Sequence, residues 1–283
     1  MNFHNPAADV FVPDGVEERA ALARTTHLCF GAHQDDLEIM AYHGIAACFG
    51  RDDLWFTGVV ATNGAGSPRA GIYEKYTDGE MQRVRLGEQR MAASIGGYGC
   101  QIQLGYSSGA VKDPANTAVR EDMAAILRIA RPRIVYLHNL ADKHDTHVAV
   151  TLRAIDALRA LAAECRPEKV YGCEVWRDLD WLPDEDKQAL PVSDRPNLAA
   201  ALLGVFDSQI SGGKRYDLAT AGRRLANATY FASHAVDVET ALTYAMDLTP
   251  LIDDPGLPVA PYAAGFIAKF RADVEERLRR LGG

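Results

Sequence analysis

The run Thr26-His-Leu-Cys-Phe-Gly-Ala32 is short, apolar and bounded by glycine, which predicts a strand buried on both faces rather than a helix. From Asp36 the apolar positions Leu37, Met40, Ala41, Ile45 and Cys48 recur at helical spacing and stop at Gly50, a natural helix-ending residue. Leu54–Thr62 reads as a second strand, and Asn63–Ile72 as a glycine-rich loop. Met81–Ile95 reads as a helix closed by Gly96-Gly97, and Gln101–Tyr106 as a third strand. Glu121–Ala130 is helical and stopped by Pro132. A fourth strand follows at Arg133–His138, then a strongly periodic helix at His147–Glu164 and a fifth strand at Lys169–Trp176. Strands alternating with helices imply parallel βαβ units with right-handed crossovers. The expected fold is therefore α/β, a Rossmann-like three-layer sandwich with a mostly parallel sheet. Beyond Asp178 the pattern weakens. A strand is expected around Gly204–Asp207, with helices at Asp217–Asn227 and Val238–Ile252, and this last third is read as an extension of a single domain spanning residues 1–283.

Composition narrows the function without changing that architecture. Hydrophobic residues make up 48% of the chain and charged residues 24%, which fits a packed globular protein rather than a disordered or fibrous one. Thirty lysines and arginines face 38 aspartates and glutamates, a net charge of −8, so the broad basic footprint of a nucleic-acid or anionic-membrane binder is missing. Cys29, Cys48, Cys100, Cys165 and Cys173 are scattered and form no C-x-x-C pair, which reads as reduced thiols. The first residues lack the basic start and apolar run of a signal peptide, and no apolar stretch approaches a membrane span. The expected location is the cytoplasm, and a homo-oligomer is compatible with these features.

In an open parallel sheet, ligands bind beyond the carboxyl ends of the strands. Two of those ends are loaded with chemistry. The first strand runs into His33-Gln34-Asp35-Asp36-Leu37-Glu38, and the fourth into His138-Asn-Leu-Ala-Asp142-Lys-His144-Asp145-Thr-His147. With the common strand order 3-2-1-4-5 these two ends are neighbours across one crevice. Two histidines, one carboxylate and an open position are the donor set of catalytic rather than structural zinc. Of two adjacent aspartates, one is then free to take a proton from activated water. The plainer readings are that an acidic first turn suits the helix dipole, and that His144 and His147 are surface polar residues.

The segment Gly31-Ala-His-Gln-Asp-Asp-Leu-Glu38 resembles the A-H-P-D-D-x-E motif of the PIG-L/LmbE-like zinc-dependent deacetylases, which remove acetyl groups from N-acetylglucosaminyl substrates. His138–His147 is similar to that family's H-N-P-x-D-x-H-x-D-H stretch, and Arg85-Leu-Gly-Glu88 with Ala92 to its R-x-x-E-x-x-x-A helix. The resemblance implies a Zn2+ cofactor held by His33, Asp36 and His147, with Asp35 as general base. It implies that His144 polarises the carbonyl or protonates the leaving amine, and that Arg85 contacts the substrate, a small N-acetylated sugar or its conjugate. Gln34 and Leu140 stand where the family has proline. Thr146 stands where it has the aspartate that tunes the catalytic histidine, which leaves open whether Asp142 or Asp145 takes over.

Other residues are read more plainly. His43 shares a helical face with Asp36 and is expected to be a core histidine. Gly64-Ala-Gly66-Ser-Pro68 lacks the third glycine of a dinucleotide fingerprint and reads as a substrate loop, with Asn63, Arg69, Tyr73 and Tyr76 as sugar contacts. Two rival functions remain beside the hydrolase. One is an oxygen-only magnesium site at Asp35, Asp36 and Glu38 for phosphoryl transfer, which His144 and His147 argue against. The other is a metal-bound but inactive relative, for which Asp35 and His144 have no use.

Overall fold

Buried apolar runs pair into one eight-stranded sheet in the computed structural model, which describes residues 1–283. Its strands are β1 (Asp9–Phe11), β2 (His27–Gly31), β3 (Phe56–Thr62), β4 (Cys100–Tyr106), β5 (Ile134–His138), β6 (Lys169–Cys173), β7 (Lys187–Pro191) and β8 (Leu242–Asp247). They lie in the order β1-β4-β3-β2-β5-β6-β8-β7. The central five are parallel and stand in the expected order. Every residue of β2 and β3 is buried, as continuous apolar runs in a doubly covered sheet require.

β2 and β5 are paired, with His27 opposite Ile134 and Cys29 opposite Tyr136. Their carboxyl ends, Gly31 and His138, therefore open side by side into the same crevice. Helices Ala118–Ala130 and Asp145–Arg159 cover one face. Asp36–Met40 and Tyr42–Cys48 pack on the other, together with Pro196–Gly204. The predicted helix from Asp36 breaks at Ala41, whose φ of −110° and ψ of 19° leave the helical region. Gly44 allows its second half to lie against β5, because a Cβ there would sit 2.6 Å from a ring carbon of Tyr136.

Two expectations for the last third are corrected. Gly204–Asp207 is not a strand: it joins the end of helix Pro196–Gly204 to the helix Asp207–Ile210. Leu198, Leu202 and Leu203 bury one face of the first helix and Phe206 is buried in the connection, so the helical period prevails over the short apolar pair Val205-Phe206. Val238–Ile252 is not one helix, since its centre is β8 and only Thr249–Asp253 is helical. Leu242, Tyr244, Met246 and Leu248 enter one core layer while Ala245 enters the other, a period of two hidden in an evenly apolar segment. β8 pairs antiparallel with β6 and β7, and β1 antiparallel with β4, so the parallel centre carries antiparallel edges. The helix Tyr216–Tyr230 contains the expected Asp217–Asn227. A further helix, Val259–Arg280, closes the chain with none of its residues buried. No helix is long and apolar enough to cross a membrane.

Candidate functional site

His33, Asp36 and His147 arrive from the two neighbouring strand ends, and their ligating atoms all lie within 4.8 Å of one another. Nε2 of His147 is 3.3 Å from Nδ1 of His33 and 3.5 Å from Oδ1 of Asp36, while Oδ2 of Asp36 is 3.4 Å from His33 Nδ1. Asp36 begins the helix after β2, and its Oδ2 also accepts the His33 backbone N–H at 2.6 Å. His147 lies in the first turn of helix Asp145–Arg159 and is fully buried, whereas His33 retains a quarter of its side-chain exposure. The cluster therefore opens toward the crevice on the His33 side.

A second triad, His138, Asp142 and His147, shares the last residue but is spent on holding the first. Nε2 of His138 accepts the Ala32 N–H at 3.0 Å, which ties the end of β5 to the end of β2. That bond puts the ring proton on Nδ1, and burial holds the imidazole well below its ordinary range, so the ring stays neutral. Its ring stacks on His147 with centroids 3.9 Å apart. Asp142 Oδ2 lies 3.4 Å from His147 Nδ1 and accepts the Trp176 N–H at 3.1 Å. His147 thus turns Nδ1 to a carboxylate and Nε2 to the triad, the orientation a metal-binding imidazole needs. Burial pulls the His147 pKa down, but the Asp36 and Asp142 carboxylates more than offset it. Burial likewise opposes ionisation of Asp36, yet the neighbouring His147, His138 and His33 hold that carboxyl far below its usual value.

Asp35 adopts a left-handed backbone with φ of +86°, a conformation that aspartate tolerates but that costs on the order of 1 kcal/mol. Gln89 Oε1 accepts its backbone N–H at 3.2 Å. The Arg85 guanidinium donates through Nη2 to the Gln34 carbonyl and to Asp35 Oδ2, the latter at 3.3 Å. Asp35 Oδ1 bonds no protein group. Burial raises the Asp35 carboxyl to about 7, with Asp36 and Glu38 pushing the same way and Arg85 opposing them. Glu38 closes the network beneath: its Oε1 accepts Tyr98 O–H at 2.7 Å and Gln89 Nε2–H at 2.8 Å, and burial pushes it up to about 7.

These groups floor a cavity of about 690 Å³ lined by His33, Asp35, Asp36, His144 and Trp176 among others. Five of the six residues singled out in the sequence, His33, Asp35, Asp36, Arg85 and His144, line it, and the sixth, His147, is buried behind His33 and Asp36. Arg85 is 1% exposed, with its guanidinium engaged by Asp35, the Gln34 carbonyl and, at 3.5 Å, Ser208 Oγ. His144 faces His33, His147 and Trp176 with ring centroids at 5.0, 4.6 and 6.2 Å. Neither Asp142 nor Asp145 reaches its ring: Asp142 Oδ1 takes the His144 backbone N–H at 2.9 Å, and His144 Nδ1 is buried without a partner. Burial, followed by the charges of His147 and His33, lowers the His144 pKa.

The glycine-rich loop lines the cavity through Gly64, Gly66, Ser67 and Pro68. Gly64 has φ of +73°, and a Cβ there would meet Gln34 Oε1 at 2.7 Å. Its neighbours named as sugar contacts are absent from the wall. Arg69 is paired with Asp78 at 2.6 Å, and Tyr73 O–H donates to Asp207 at 2.6 Å. His43 is a core histidine whose Nδ1 lies 2.7 Å from the Tyr136 hydroxyl. The roles of His138, Gln89 and Trp176 escaped sequence reading. Of these only His138 carried a signal, as the last residue of the fourth strand.

Comparison with known proteins follows the same residues. The family model described as PIG-L, GlcNAc-PI de-N-acetylase, matches residues 28–158. No curated protein matches the chain by sequence. The structure is similar to that of the N,N'-diacetylchitobiose deacetylase of Pyrococcus horikoshii, with a TM-score of 0.60 and 16% identity over 78% of this chain and 84% of that one. It is similar to GalB, the 4-carboxy-2-hydroxymuconate hydratase of Pseudomonas putida KT2440, at a TM-score of 0.61 and 18% identity, covering 79% of this chain and 95% of that one. The A40926 pseudoaglycone deacetylase Dbv21 follows at 0.57 and 15% identity, over 80% and 98% of the two chains. At these identities the likeness is one of fold, and a fold shared by deacetylases and a hydratase leaves the reaction to the site.

Proposed function

We propose that this chain, whose residues 28–158 match the PIG-L family model, is a zinc-dependent hydrolase that removes the acetyl group from an N-acetylated amino sugar or its conjugate. The observation that carries the reading is the convergence of His33, Asp36 and His147 at a cavity whose floor also holds Asp35, the residue adjacent to Asp36. Two imidazoles and a carboxylate suit zinc better than magnesium, which prefers oxygen alone. His147 Nδ1 already faces Asp142, so its Nε2 is left for the metal. When bound, the ion polarises the amide carbonyl and makes water nucleophilic near neutral pH.

This chain's own residues do the rest. Asp35 accepts the water proton at Oδ1, while Arg85 and Gln89 hold its carboxylate and backbone in place. Arg85 is thus read as a positioning residue rather than a substrate contact. His144, beside His33 and against Trp176, donates to the developing oxyanion or to the departing amine. The C-terminal third works with the core as one domain, since Gln209, Lys214, Tyr216 and Arg223 complete the cavity wall.

Elemental analysis tests the centre. The purified protein is expected to hold about one equivalent of zinc or a similar transition metal. An Asp36→Ala, His147→Ala double variant is expected to lose it, and full occupancy in that variant overturns the assignment. A screen of N-acetylated sugars for free amine release then identifies the substrate.

A further inference from the structure

The cavity wall is cationic on a protein that is acidic as a whole. Thirty basic residues face 38 acidic ones along the chain. Yet the only carboxylates lining the cavity are Asp35 and Asp36 on its floor, while Lys112, Lys214 and Arg223 line it above them. None of these three cations forms an ion pair, and the nearby Asp217 is taken by Arg215. The half-buried Arg223 donates through Nη1 to the Val175 carbonyl, which leaves its other nitrogens free. Lys214 Nζ sits 5.1 Å from the centre of the Trp176 ring, and Lys143 Nζ sits 5.8 Å from it.

Trp176 fixes where these charges stand relative to the chemistry. One of its neighbours is His144, with ring centroids 6.2 Å apart, and another is Tyr216 at 6.1 Å. Lys214 and Lys143 therefore lie one aromatic ring beyond the catalytic floor, and Arg223 is tied to Val175, the residue before that ring. Glu174, buried behind Arg223, is the carboxylate that feels its charge, while Lys112 and Lys214 have no ion-pair partner. Like charges lining one cavity repel one another, and an anion placed among them removes that cost and gains charge-assisted hydrogen bonds. A neutral sugar conjugate can accept hydrogen bonds from these groups but supplies no compensating charge.

We infer that the mouth of the cavity is a subsite for an anionic group, a carboxylate or a phosphate, carried by the substrate on the side away from its N-acyl bond. Lys214 and Arg223 bind the anion, and Lys112 and Lys143 add to the field that draws it in. The inference rests on the hydrolase reading only for the placement of the N-acyl group.

Calorimetric titration of the metal-loaded protein separates the two. The ligands are methyl N-acetyl-β-glucosaminide, its carboxymethyl counterpart, N-acetylglucosamine 1-phosphate and inorganic phosphate. At least one charged sugar is expected to bind roughly ten-fold more tightly than the methyl glycoside, about 1.4 kcal/mol, and which one does distinguishes carboxylate from phosphate. That charged-to-neutral ratio is expected to fall toward one in a Lys214→Gln, Arg223→Gln double variant and with rising salt, while a remote Arg277→Gln control keeps it. Equal affinity for charged and neutral sugars, or a preference that survives the double variant, overturns the subsite. If no sugar binds, inorganic phosphate decides. Binding weakened by the double variant keeps the anion subsite and rejects the amino-sugar reading, whereas equal or absent binding in both proteins rejects the subsite. Acetate release from the same mixtures reads the hydrolase activity independently.

Discussion

His147 and Asp142 face each other with Nδ1 and Oδ2 3.4 Å apart, inside a site where both side chains are fully buried. The same carboxylate also accepts the Trp176 N–H and, through Oδ1, the His144 N–H, so it joins β5, helix Asp145–Arg159 and the segment after β6. Asp142→Asn keeps the size and most of the hydrogen bonds but removes the charge that orients His147. It is expected to lower metal affinity roughly 10- to 100-fold while the fold persists. A metal-buffered titration checks this, and unchanged affinity would show that His147 needs no orienting carboxylate.

His144 lies close enough to the triad to act on a substrate, yet it is not one of the mutually close ligand atoms. His144→Ala is therefore expected to retain full metal content while kcat falls by roughly 10²- to 10³-fold, the usual cost of one transition-state donor. Paired metal analysis and steady-state kinetics give the answer. Loss of metal in parallel with activity would make His144 a ligand instead.

Burial depresses the His27 imidazole to about 4, with His43 and Arg133 adding to the effect. The folded value lies below the unfolded one, so the unfolded chain binds more protons between about 6.5 and 4. Stability tied to neutral His27 is complete above pH 6.5 and is lost as pH falls toward 4. Denaturant unfolding of wild type and His27→Gln across that window should show the wild type losing ground to the variant by at most about 3 kcal/mol. A pH-independent difference between the two would contradict it.

The parallel centre of the sheet was legible because its strands are apolar runs whose punctuation by glycine and proline is local. The site was legible for the same reason: a parallel sheet places strand ends together, so His33 and His147, 114 residues apart, become neighbours. What could not be read depends on partners far away in the chain. β8 looks like a helix until the two core layers sort Tyr244 from Ala245. Arg85 reads as a substrate contact by resemblance alone, and only the packing of its helix over Gln34 and Asp35 shows its guanidinium engaged by the protein. Arg69 and Tyr73 look free for a sugar until Asp78 and Asp207 claim them. The question posed by Thr146 likewise needed coordinates, because Asp142 reaches His147 and only the backbone of His144.

The most direct measurement is acetate release from an N-acetylated amino sugar identified in the screen, by zinc-loaded wild-type protein and by Asp35→Asn at equal metal occupancy. The amide keeps the hydrogen bond from Arg85 but cannot accept the water proton. The expected result is turnover by the wild type and a roughly 10²- to 10⁴-fold lower kcat in the variant, with metal content unchanged. Equal acetate release by the two proteins would contradict both the role of Asp35 and the hydrolytic mechanism built on it.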